Sequence, residues 1–366
     1  MPSTTTTKSG TINKEVLKNF VKKVNQNEAN SVADEPLEVE APMQARVFEL
    51  PKEDGWVTYT SLFKKSFTGQ EHAVRQFKKE DWPENLRIHI PEIDDAYVFP
   101  KKATEQFVVA LMQGDKTFIQ GPKGSGKSSL PQQICARLNI PFVRVNCRED
   151  MESSAIFGSI DVQAGSMVWH PGPAEELGLA GGLLQVDEIA AAPAGINLAM
   201  QWMLEEQGKI YLADKPGDSD DKLVTPHPWF RIVATDNTQL QGDTTGHYGG
   251  TQVQNEAMLD RFQTTIKLDY LERSHETTII KKKCPGITNT HIKNMLEFAS
   301  LIRTAYNEGE IQFTMSPRTL INWGRKVVYW NDPIMALEIA FFDKLVDDDR
   351  KIVNELCHKV FGKQVN

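Results

Sequence analysis

The segment GPKGSGKS, residues 121–128, has the residue types and the spacing of a loop that binds a polyphosphate. It fits the pattern G-x-x-x-x-G-K-[ST] and lies between a predicted strand and a predicted helix, which is the context that this pattern requires. Glycines let the backbone approach phosphates without a Cβ in the way, and the N–H groups at the start of the helix meet their negative charge. The sequence therefore predicts a nucleotide-binding loop. The alternative, a glycine-rich turn with a chance lysine, is disfavoured by the strand and the helix on either side.

Two side chains of this loop have expected roles in the chemistry. The Lys127 ammonium would reach the β- and γ-phosphates, and the Ser128 hydroxyl would be a ligand of Mg²⁺. The loop thus predicts a nucleotide bound together with Mg²⁺, and we expect that nucleotide to be ATP. The residues expected to bind it are Gly121, Pro122, Lys123, Gly124, Ser125, Gly126, Lys127, Ser128 and Ser129.

Two adjacent acidic residues follow a second apolar run, LLQVDEI, residues 183–189. Asp187 would hold Mg²⁺ through water, and Glu188 is placed to polarise the water that attacks the γ-phosphate. An acidic pair at a strand end is weak evidence alone, because helix caps look similar. Its distance along the chain from the phosphate loop favours the nucleotide site. Gln185 is a polar residue within this apolar strand, and the sequence gives no reason for it.

A third apolar run, RIVATDN, residues 231–237, ends in Asn237. An amide at this position could hydrogen-bond both the attacking water and the γ-phosphate, whereas the alternative is an asparagine in a turn. Ligands of open α/β sheets bind at the carboxyl ends of the strands. We therefore expect Asn237, the acidic pair and the phosphate loop to converge on one crevice.

Short apolar runs alternate with helical stretches from about residue 90 onward. The predicted strands are KTFIQ, PFVRVN, GLLQVDE, FRIVATDN and TTIKLDYL, and the helices between them include SSLPQQICARL and GINLAMQWMLEEQ. This alternation predicts an α/β fold with a parallel sheet covered on both faces. After Leu271 the predicted strands stop, and helical segments run to the end of the sequence.

Four regions follow from this organisation. Residues 1–54 are expected to contain an amphipathic helix over residues 12–27 and then an acidic, proline-broken linker. Residues 55–90 hold enough aromatic residues for a small folded module. We expect residues 91–271 to form the α/β core and residues 272–366 to form a helical lid.

Composition restricts the class of protein. The net charge of -8 and the isoelectric point near 5.6 argue against a dedicated nucleic-acid binder. The basic run Lys281–Lys283 is interpreted as a solvated face. The four cysteines form no CxxC pair, so we expect reduced, buried thiols in a cytoplasmic protein. No stretch reaches the ~20 apolar residues needed to cross a bilayer, and no membrane partner is expected.

With these motifs in place, the chain resembles the AAA+ ATPases, and among them the MoxR-type group, which carries an insertion ahead of the acidic strand. Residues 157–173, FGSIDVQAGSMVWHPGP, occupy the insert position and predict a hairpin. The sequence is most similar to the ATPase subunits of aerobic cobaltochelatases, from about Pro91 to the carboxyl terminus. The segments that carry this similarity are PEIDDAYVF, HPWFRIVATDN, GDTTGHYGGTQVQNEAMLDRF and MSPRTLINWG.

The resemblance implies roles for two arginines. Arg261 lies in the last turn of a predicted short helix over residues 253–262 and matches the arginine finger, which completes the nucleotide site of the neighbouring subunit. The alternative is an exposed arginine paired with a nearby acid, an interaction worth little. Arg318, within SPRT, is similar to the sensor 2 arginine, which would contact the γ-phosphate of its own subunit's nucleotide.

The resemblance also implies a function. It implies Mg²⁺-dependent ATP hydrolysis in a homo-oligomeric ring, a hexamer by analogy. The ring would work with a partner subunit that carries a metal-adhesion domain and with a large chelatase subunit that inserts Co²⁺ into a corrin precursor. A second hypothesis is a remodelling chaperone for a protein client outside cobalamin synthesis, of a kind that bacteriophages also encode. The negative net charge disfavours a third hypothesis, a nucleic-acid motor.

Overall fold

The computed structural model describes residues 50–237 and 256–365. The predicted amino-terminal amphipathic helix, most of the linker that follows it, and the glycine-threonine run that begins at Gly242 lie outside the described residues. The fold and the site are therefore built from the two described ranges.

The strands and helices of the described ranges are numbered in chain order. The strands are β1 (Trp56–Thr58), β2 (Ala73–Arg75), β3 (Thr117–Gln120), β4 (Phe142–Asn146), β5 (Gly158–Gln163), β6 (Ser166–Pro171), β7 (Gly182–Asp187), β8 (Ile210–Tyr211), β9 (Leu223–Val224), β10 (Phe230–Asp236) and β11 (Thr264–Lys267). The helices are α1 (Tyr59–Phe63), α2 (Glu84–Arg87), α3 (Lys101–Gln113), α4 (Ser129–Leu138), α5 (Ser154–Phe157), α6 (Pro173–Ala180), α7 (Ala194–Leu204), α8 (Glu256–Leu259), α9 (Arg273–Lys283), α10 (Asn289–Asn307), α11 (Pro317–Trp330), α12 (Pro333–Ala340) and α13 (Asp347–Phe361).

Five of these strands form one parallel sheet, in the order β11-β3-β10-β7-β4. The register pairs Asp236 with Gln120 and Asp187 with Asn146. Because every strand runs in the same direction, all the carboxyl ends lie at one edge of the sheet. The phosphate loop after β3, the acidic pair after β7 and Asn237 after β10 therefore emerge side by side.

Both faces of the sheet are buried. Successive residues of a strand point to opposite faces, so Phe118 belongs to one apolar cluster and Ile119 to the other. In β7, Leu183 and Leu184 divide in the same way. Each of these four side chains is almost fully buried, and full burial of such a side chain stabilises the fold by about 1.5–3 kcal/mol. The predicted α/β fold with a parallel sheet is confirmed.

The segment ahead of α3 packs directly on the α/β layer. Strands β1 and β2 pair antiparallel, and the indole N–H of Trp82 donates to the carbonyl oxygen of Asn139 at 2.6 Å. Its buried aromatic residues lie in the same apolar cluster as α3 and α4; they are Tyr59, Phe63, Phe77 and Trp82. The aromatic content of this segment is thus used for packing.

The helical region has an apolar core of its own. Trp323 is fully buried against the rings of Phe298 and Phe361, and its indole N–H donates to the carbonyl oxygen of Pro333 at 2.9 Å. Helix α11 begins after Ser316, whose hydroxyl accepts the Thr319 N–H at 3.2 Å as an N-cap. These contacts fix the start of α11, which faces the phosphate loop.

Two antiparallel hairpins interrupt the α/β pattern. The predicted insert hairpin is present as β5 and β6, with exposed apolar side chains at Val162 and Met167. Strands β8 and β9 form a second, two-residue pairing. No helix among the described residues combines the length and the apolar character needed to cross a membrane.

Three elements end three or four residues earlier than predicted. Strand β11 ends at Lys267 because β3, its one sheet neighbour among the described strands, ends at the partner residue Gln120. Helix α7 ends at Leu204 because the backbone of Glu205 is extended. Within the described part of the predicted helix 253–262, α8 covers only Glu256–Leu259.

Candidate functional site

A cavity of about 870 Å³ lies at the carboxyl edge of the sheet, between the phosphate loop and the start of α11. Its volume is typical of sites for small ligands, which are about 300–1,000 Å³. The predicted site residues that line it are Lys123, Gly124, Ser125, Gly126, Lys127, Ser128, Ser129, Asp187, Glu188, Asn237 and Arg318. Gly121 and Pro122 begin the same loop but do not line the cavity, and Arg261 lies outside it.

Glycine is required at two loop positions. Gly124 has φ 82°, in the left-handed region that favours glycine, and a Cβ added there would lie 2.4 Å from the Cβ of Ser316. At Gly121, an added Cβ would lie 2.2 Å from the carbonyl oxygen of Leu268. The loop therefore passes too close to its neighbours for any other residue, and at Gly124 that neighbour is the N-cap of α11.

The Lys127 ammonium is buried within the loop. Its Nζ donates to the carbonyl oxygens of Gly121 at 2.8 Å and Pro122 at 2.9 Å, and to Oδ1 of Asn237 at 2.5 Å. Burial lowers the pKa of Lys127 to about 8, although nearby carboxylates, chiefly Asp187, act in the opposite direction. All three acceptors are neutral, so a phosphate oxygen would be a stronger partner for this cation.

Three further loop residues have defined surroundings. The Lys123 carbonyl oxygen accepts the hydroxyl of Tyr270 at 3.2 Å, and the Ser129 N–H donates to Gly126 at 3.0 Å as α4 begins. The Ser125 hydroxyl oxygen is buried and has no hydrogen-bond partner among the described residues. A buried hydroxyl without a partner is costly, and a phosphate group in the loop would satisfy it.

The Ser128 hydroxyl links the loop to the acidic strand end. Its Oγ lies 2.8 Å from Oδ1 and 3.1 Å from Oδ2 of Asp187. Hydroxyl and carboxylate oxygens are the ligands that Mg²⁺ prefers, and protein sites for Mg²⁺ in nucleotide enzymes leave the other positions to phosphates and water. The pair fits that role. Among the described residues, no group of three or more His, Cys, Asp or Glu side chains could hold a metal ion by itself.

Asp187 has three further hydrogen-bond donors, none of which the sequence assigned to the site. Gln185 Nε2 donates to Oδ1 at 3.2 Å, Thr235 Oγ1 also donates to Oδ1, and Arg144 Nη2 forms an ion pair with Oδ2. This explains the polar residue in the apolar strand β7, because Gln185 supports the carboxylate two residues further on. In the sequence, the available signal for this network was Gln185 itself. Assigning Arg144 and Thr235 to the site requires knowledge of the strand order.

Glu188 adopts a left-handed backbone conformation, with φ 56° and ψ 48°. A non-glycine residue pays about 1–3 kcal/mol for such a conformation, and residues of this kind cluster at functional sites. The backbone N–H of Glu188 donates to Thr235 Oγ1 at 3.3 Å, which holds the turn, while its exposed side chain lines the cavity. The turn thus directs a carboxylate towards the space beside the phosphate loop.

Arg261 lies away from this cavity. Its Nε donates to Oε1 of Glu205 at 2.8 Å, and the Arg261 side chain is 27% exposed. It follows α8 in a turn, two residues beyond Leu259. Within one copy of the chain, the arginine therefore does not reach the residues around Lys127, and its pairing with an acid is the arrangement that the alternative interpretation expected.

Arg318 is the second residue of α11, and its exposed side chain lines the cavity opposite the sheet. The lining also contains Arg325 on the same helix and Lys344 near the start of α13. The helical region thus presents cations to the same cavity as the phosphate loop. Such a distribution suits a polyanionic ligand.

Tyr270 connects the phosphate loop to the helical region. Its hydroxyl, which bonds Lys123, also lies 3.1 Å from Thr314 Oγ1, and the Arg303 guanidinium stacks on its ring at 4.3 Å. Arg303 in turn forms a two-point ion pair with the buried carboxylate of Glu276, at 2.7 and 3.0 Å. The loop and the helical region are therefore joined by a continuous chain of contacts.

The basic run of α9 is more than a solvated face. Lys283 Nζ forms an ion pair with Asp94 at 2.8 Å, and Lys282 Nζ donates to the carbonyl oxygen of Asp95 at 2.6 Å. Burial acts to raise the pKa of Asp94, but the hydrogen bonds from Lys283 and the Ala96 N–H, together with the charges of Lys283 and Arg137, lower this pKa overall. Asp94 and Lys283 both line the cavity, so this pair forms part of its wall.

Comparisons with known proteins agree with this geometry. The model of the AAA domain of the dynein-related subfamily matches residues 116–262, and that of the CbbQ/NirQ/NorQ C-terminal domain matches residues 276–360. The aerobic cobaltochelatase subunit CobS of Sinorhizobium sp is 31% identical over 282 residues, covering 75% of this chain and 83% of that protein. The chain belongs to the MoxR-type AAA+ ATPases.

Other relatives of this MoxR-type ATPase are more distant. The denitrification regulatory protein NirQ of Pseudomonas aeruginosa is 25% identical, over 67% of this chain and 88% of its own. Among solved structures, the RuvB Holliday junction branch migration motor of Thermotoga maritima aligns with a TM-score of 0.47 and 15% identity, covering 75% of this chain and 80% of its own. Membership of the AAA+ family supports nucleotide binding and, in general terms, ATP hydrolysis by this chain.

Proposed function

We propose that this MoxR-type AAA+ ATPase hydrolyses ATP with Mg²⁺ in a homo-oligomeric ring, and that the ring drives chelatase-type insertion of Co²⁺ by partner subunits. The observation that supports the hydrolytic part is the Ser128–Asp187 contact, which brings the end of the phosphate loop to the acidic strand end at 2.8 Å. The observation that supports the chelatase part is the 31% identity to CobS over 75% of the chain.

In this proposal the phosphate loop binds the nucleotide. Lys127 exchanges its neutral acceptors for β- and γ-phosphate oxygens, and Ser125 gives its buried hydroxyl a partner. Ser128 and Asp187 would hold Mg²⁺, which neutralises phosphate charge when bound. The glycines keep the loop backbone open to the phosphates.

Hydrolysis needs a group that orients and polarises water. Glu188 has this role in the proposal, because its strained turn directs a carboxylate into the cavity beside the loop. Asn237 contacts both the water and the γ-phosphate once Lys127 releases its amide oxygen. Arg318 contacts the γ-phosphate from α11, so the position of the helical region depends on the state of the nucleotide.

Arg261 completes the site of a neighbouring copy. Because it does not line the cavity of its own chain, its proposed role requires an adjacent subunit, which is the reason for a ring; a hexamer follows by resemblance. A guanidinium is always charged and carries several donors, so it suits the charge that develops on the transferred phosphoryl group. Contact with the neighbour's nucleotide would require Arg261 to leave Glu205.

The partners of the ring are proposed from the relative. CobS is named as a subunit of an aerobic cobaltochelatase, so we propose that this chain acts on a subunit with a metal-adhesion domain and on a large chelatase subunit. In this proposal Co²⁺ is a substrate of the partner subunits. The MoxR-type ATPase supplies the nucleotide-driven motion that remodels them.

The test is nucleotide-dependent capture of partners. A Glu188→Gln variant, loaded with ATP, is expected to hold the ring in the state that binds its partners, whereas a Lys127→Ala variant is the matched control that cannot bind nucleotide. Recovery of a metal-adhesion-domain subunit and a large chelatase subunit with Glu188→Gln alone would support the proposal. Recovery of neither, with other proteins held in an ATP-dependent manner, would overturn the chelatase part and favour a remodelling function.

A further inference from the structure

We propose that Arg144 is a positioning residue that neutralises Asp187 while the site lacks Mg²⁺ and is displaced from that carboxylate when Mg²⁺ and nucleotide bind. The inference rests on the proposed function, since it concerns the same site. It assigns a role to a residue that carries no part of the phosphate-loop or acidic-strand motifs. The ion pair between Arg144 Nη2 and Asp187 Oδ2 is the observation that carries it.

The sheet register explains why Arg144 reaches the carboxylate. Arg144 on β4 pairs with Gln185 on β7, and residues paired in neighbouring strands share a face of the sheet. Asp187, two residues beyond Gln185, lies on that same face. On the other side of β7, Thr235 of β10 also donates to Asp187. Three adjacent strands thus place polar side chains around one carboxylate.

These donors differ in how firmly they are held. Gln185 and Thr235 are fully buried within the sheet, and both bond Oδ1. The Arg144 side chain is 41% exposed, extends from the edge strand β4 and lines the cavity, and it bonds Oδ2. Oδ1 therefore has fixed neutral donors, whereas Oδ2 has an exchangeable cation.

A carboxylate as buried as Asp187, whose side chain is 4% exposed, needs a positive partner. Arg144 and a divalent cation are alternative sources of that charge at Oδ2, which also lies 3.1 Å from Ser128 Oγ. Binding of Mg²⁺ by Ser128 and Asp187 would compete with the ion pair. The released guanidinium would remain at the wall of the cavity that receives the phosphates, where its charge still favours the nucleotide.

Competition has a measurable consequence. If Arg144 and Mg²⁺ compete for Asp187, loss of Arg144 strengthens the effect of Mg²⁺ on nucleotide binding. It also leaves the negative charge of Asp187 without its ion-pair partner beside the phosphate loop, and this charge weakens nucleotide binding when Mg²⁺ is absent. A side chain that served only to hold β4 in place would change both affinities together. The Mg²⁺ dependence therefore separates the two roles.

The experiment compares the full-length wild type with Arg144→Gln and Arg148→Gln. Arg148 is the matched control, because it pairs with Asp150 at 3.4 Å near the same strand and does not line the cavity. A fluorescent, non-hydrolysable ATP analogue is titrated first in EDTA and then at increasing Mg²⁺. Arg144→Lys, which keeps the charge, is measured beside them, and circular dichroism verifies that each variant is folded.

For Arg144→Gln we expect about fivefold weaker binding in EDTA and a half-saturating Mg²⁺ concentration about tenfold lower, within the usual range of coupling between sites. Arg148→Gln should match the wild type, and Arg144→Lys should lie between. An unchanged or raised half-saturating Mg²⁺ concentration in both folded Arg144 variants overturns the inference while leaving the proposed function intact. A wild type that fails to bind the analogue overturns both.

Discussion

The Lys127 ammonium nitrogen lies 2.5 Å from the amide oxygen of Asn237, 110 residues further along the chain. This contact joins the phosphate loop, which follows β3, to the end of β10. Strands β3 and β10 are adjacent in the sheet but distant in sequence. It gives Lys127 an acceptor at the point where the γ-phosphate is proposed to lie. Binding of the nucleotide would therefore free the Asn237 amide for the water and the phosphate.

Asn237→Ala should reduce turnover more than binding. The amide is proposed to act on the reacting groups, so we expect kcat to fall by about 10–100-fold while the affinity for a non-hydrolysable ATP analogue changes by less than about threefold. Asn146→Ala is the control, because Asn146 ends β4, another strand of the same sheet, and does not line the cavity. Equal losses of kcat and affinity in Asn237→Ala would argue against a role in the chemical step.

Lys127→Ala should abolish nucleotide binding. The cation is buried and is proposed to be the main positive charge on the β- and γ-phosphates, so we expect an affinity at least about 100-fold weaker by equilibrium titration, equivalent to about 2.7 kcal/mol. Lys209→Ala removes an exposed lysine outside the cavity and should have no effect. Near-normal binding by a folded Lys127→Ala protein would show that the nucleotide does not bind at this loop.

Gly124→Ala should weaken nucleotide binding through the Ser316 contact. Gly165 offers a matched control, since it has φ 84° but nothing within 4 Å of an added Cβ. Gly165→Ala should therefore cost only the backbone strain, about 1–2 kcal/mol, in thermal or denaturant unfolding. Gly124→Ala adds the 2.4 Å clash and should cost more, and it alone should lower nucleotide affinity. Identical behaviour of the two variants would show that the loop moves freely relative to α11.

Arg261→Ala should abolish hydrolysis and leave nucleotide binding in place. An arginine finger contributes about 10³-fold or more to turnover, and its removal does not alter the residues that line the chain's own cavity. Mixing Arg261→Ala with Glu188→Gln should restore part of the rate, because some sites then combine an intact Glu188 with an intact Arg261. Mixed assemblies, verified by mass, that recover no activity would exclude action on a neighbouring site.

Sequence motifs predicted the parts of the site that depend on local spacing. The phosphate loop, Asp187 and Asn237 each follow an apolar strand, and parallel pairing then brings them to one edge. The strand order β11-β3-β10-β7-β4 is not local, since β3, the first of these strands in the chain, lies between the last two, β10 and β11. Arg144 and Thr235 could not be assigned for that reason.

Charge pairs between distant segments also could not be predicted from the sequence. The Lys281–Lys283 run has the pattern of a solvated face, yet Lys283 pairs with Asp94 beside the cavity. Similarly, the pairing of Arg261 with Glu205 depends on where α7 ends, and the extended backbone of Glu205 ends it earlier than the apolar pattern predicts. Such contacts depend on tertiary packing, which the periodicity of one segment does not specify.

The most direct test is ATP turnover by the wild type and by Glu188→Gln, with Mg²⁺ and with EDTA, beside equilibrium binding of a non-hydrolysable analogue. Glu206→Gln, an exposed carboxylate that does not line the cavity, is the control. We predict that EDTA stops wild-type turnover. Glu188→Gln should bind the analogue normally but hydrolyse ATP at least about 100-fold more slowly, as expected for loss of a general base. A Glu188→Gln protein that hydrolyses ATP at the wild-type rate would contradict the proposed mechanism.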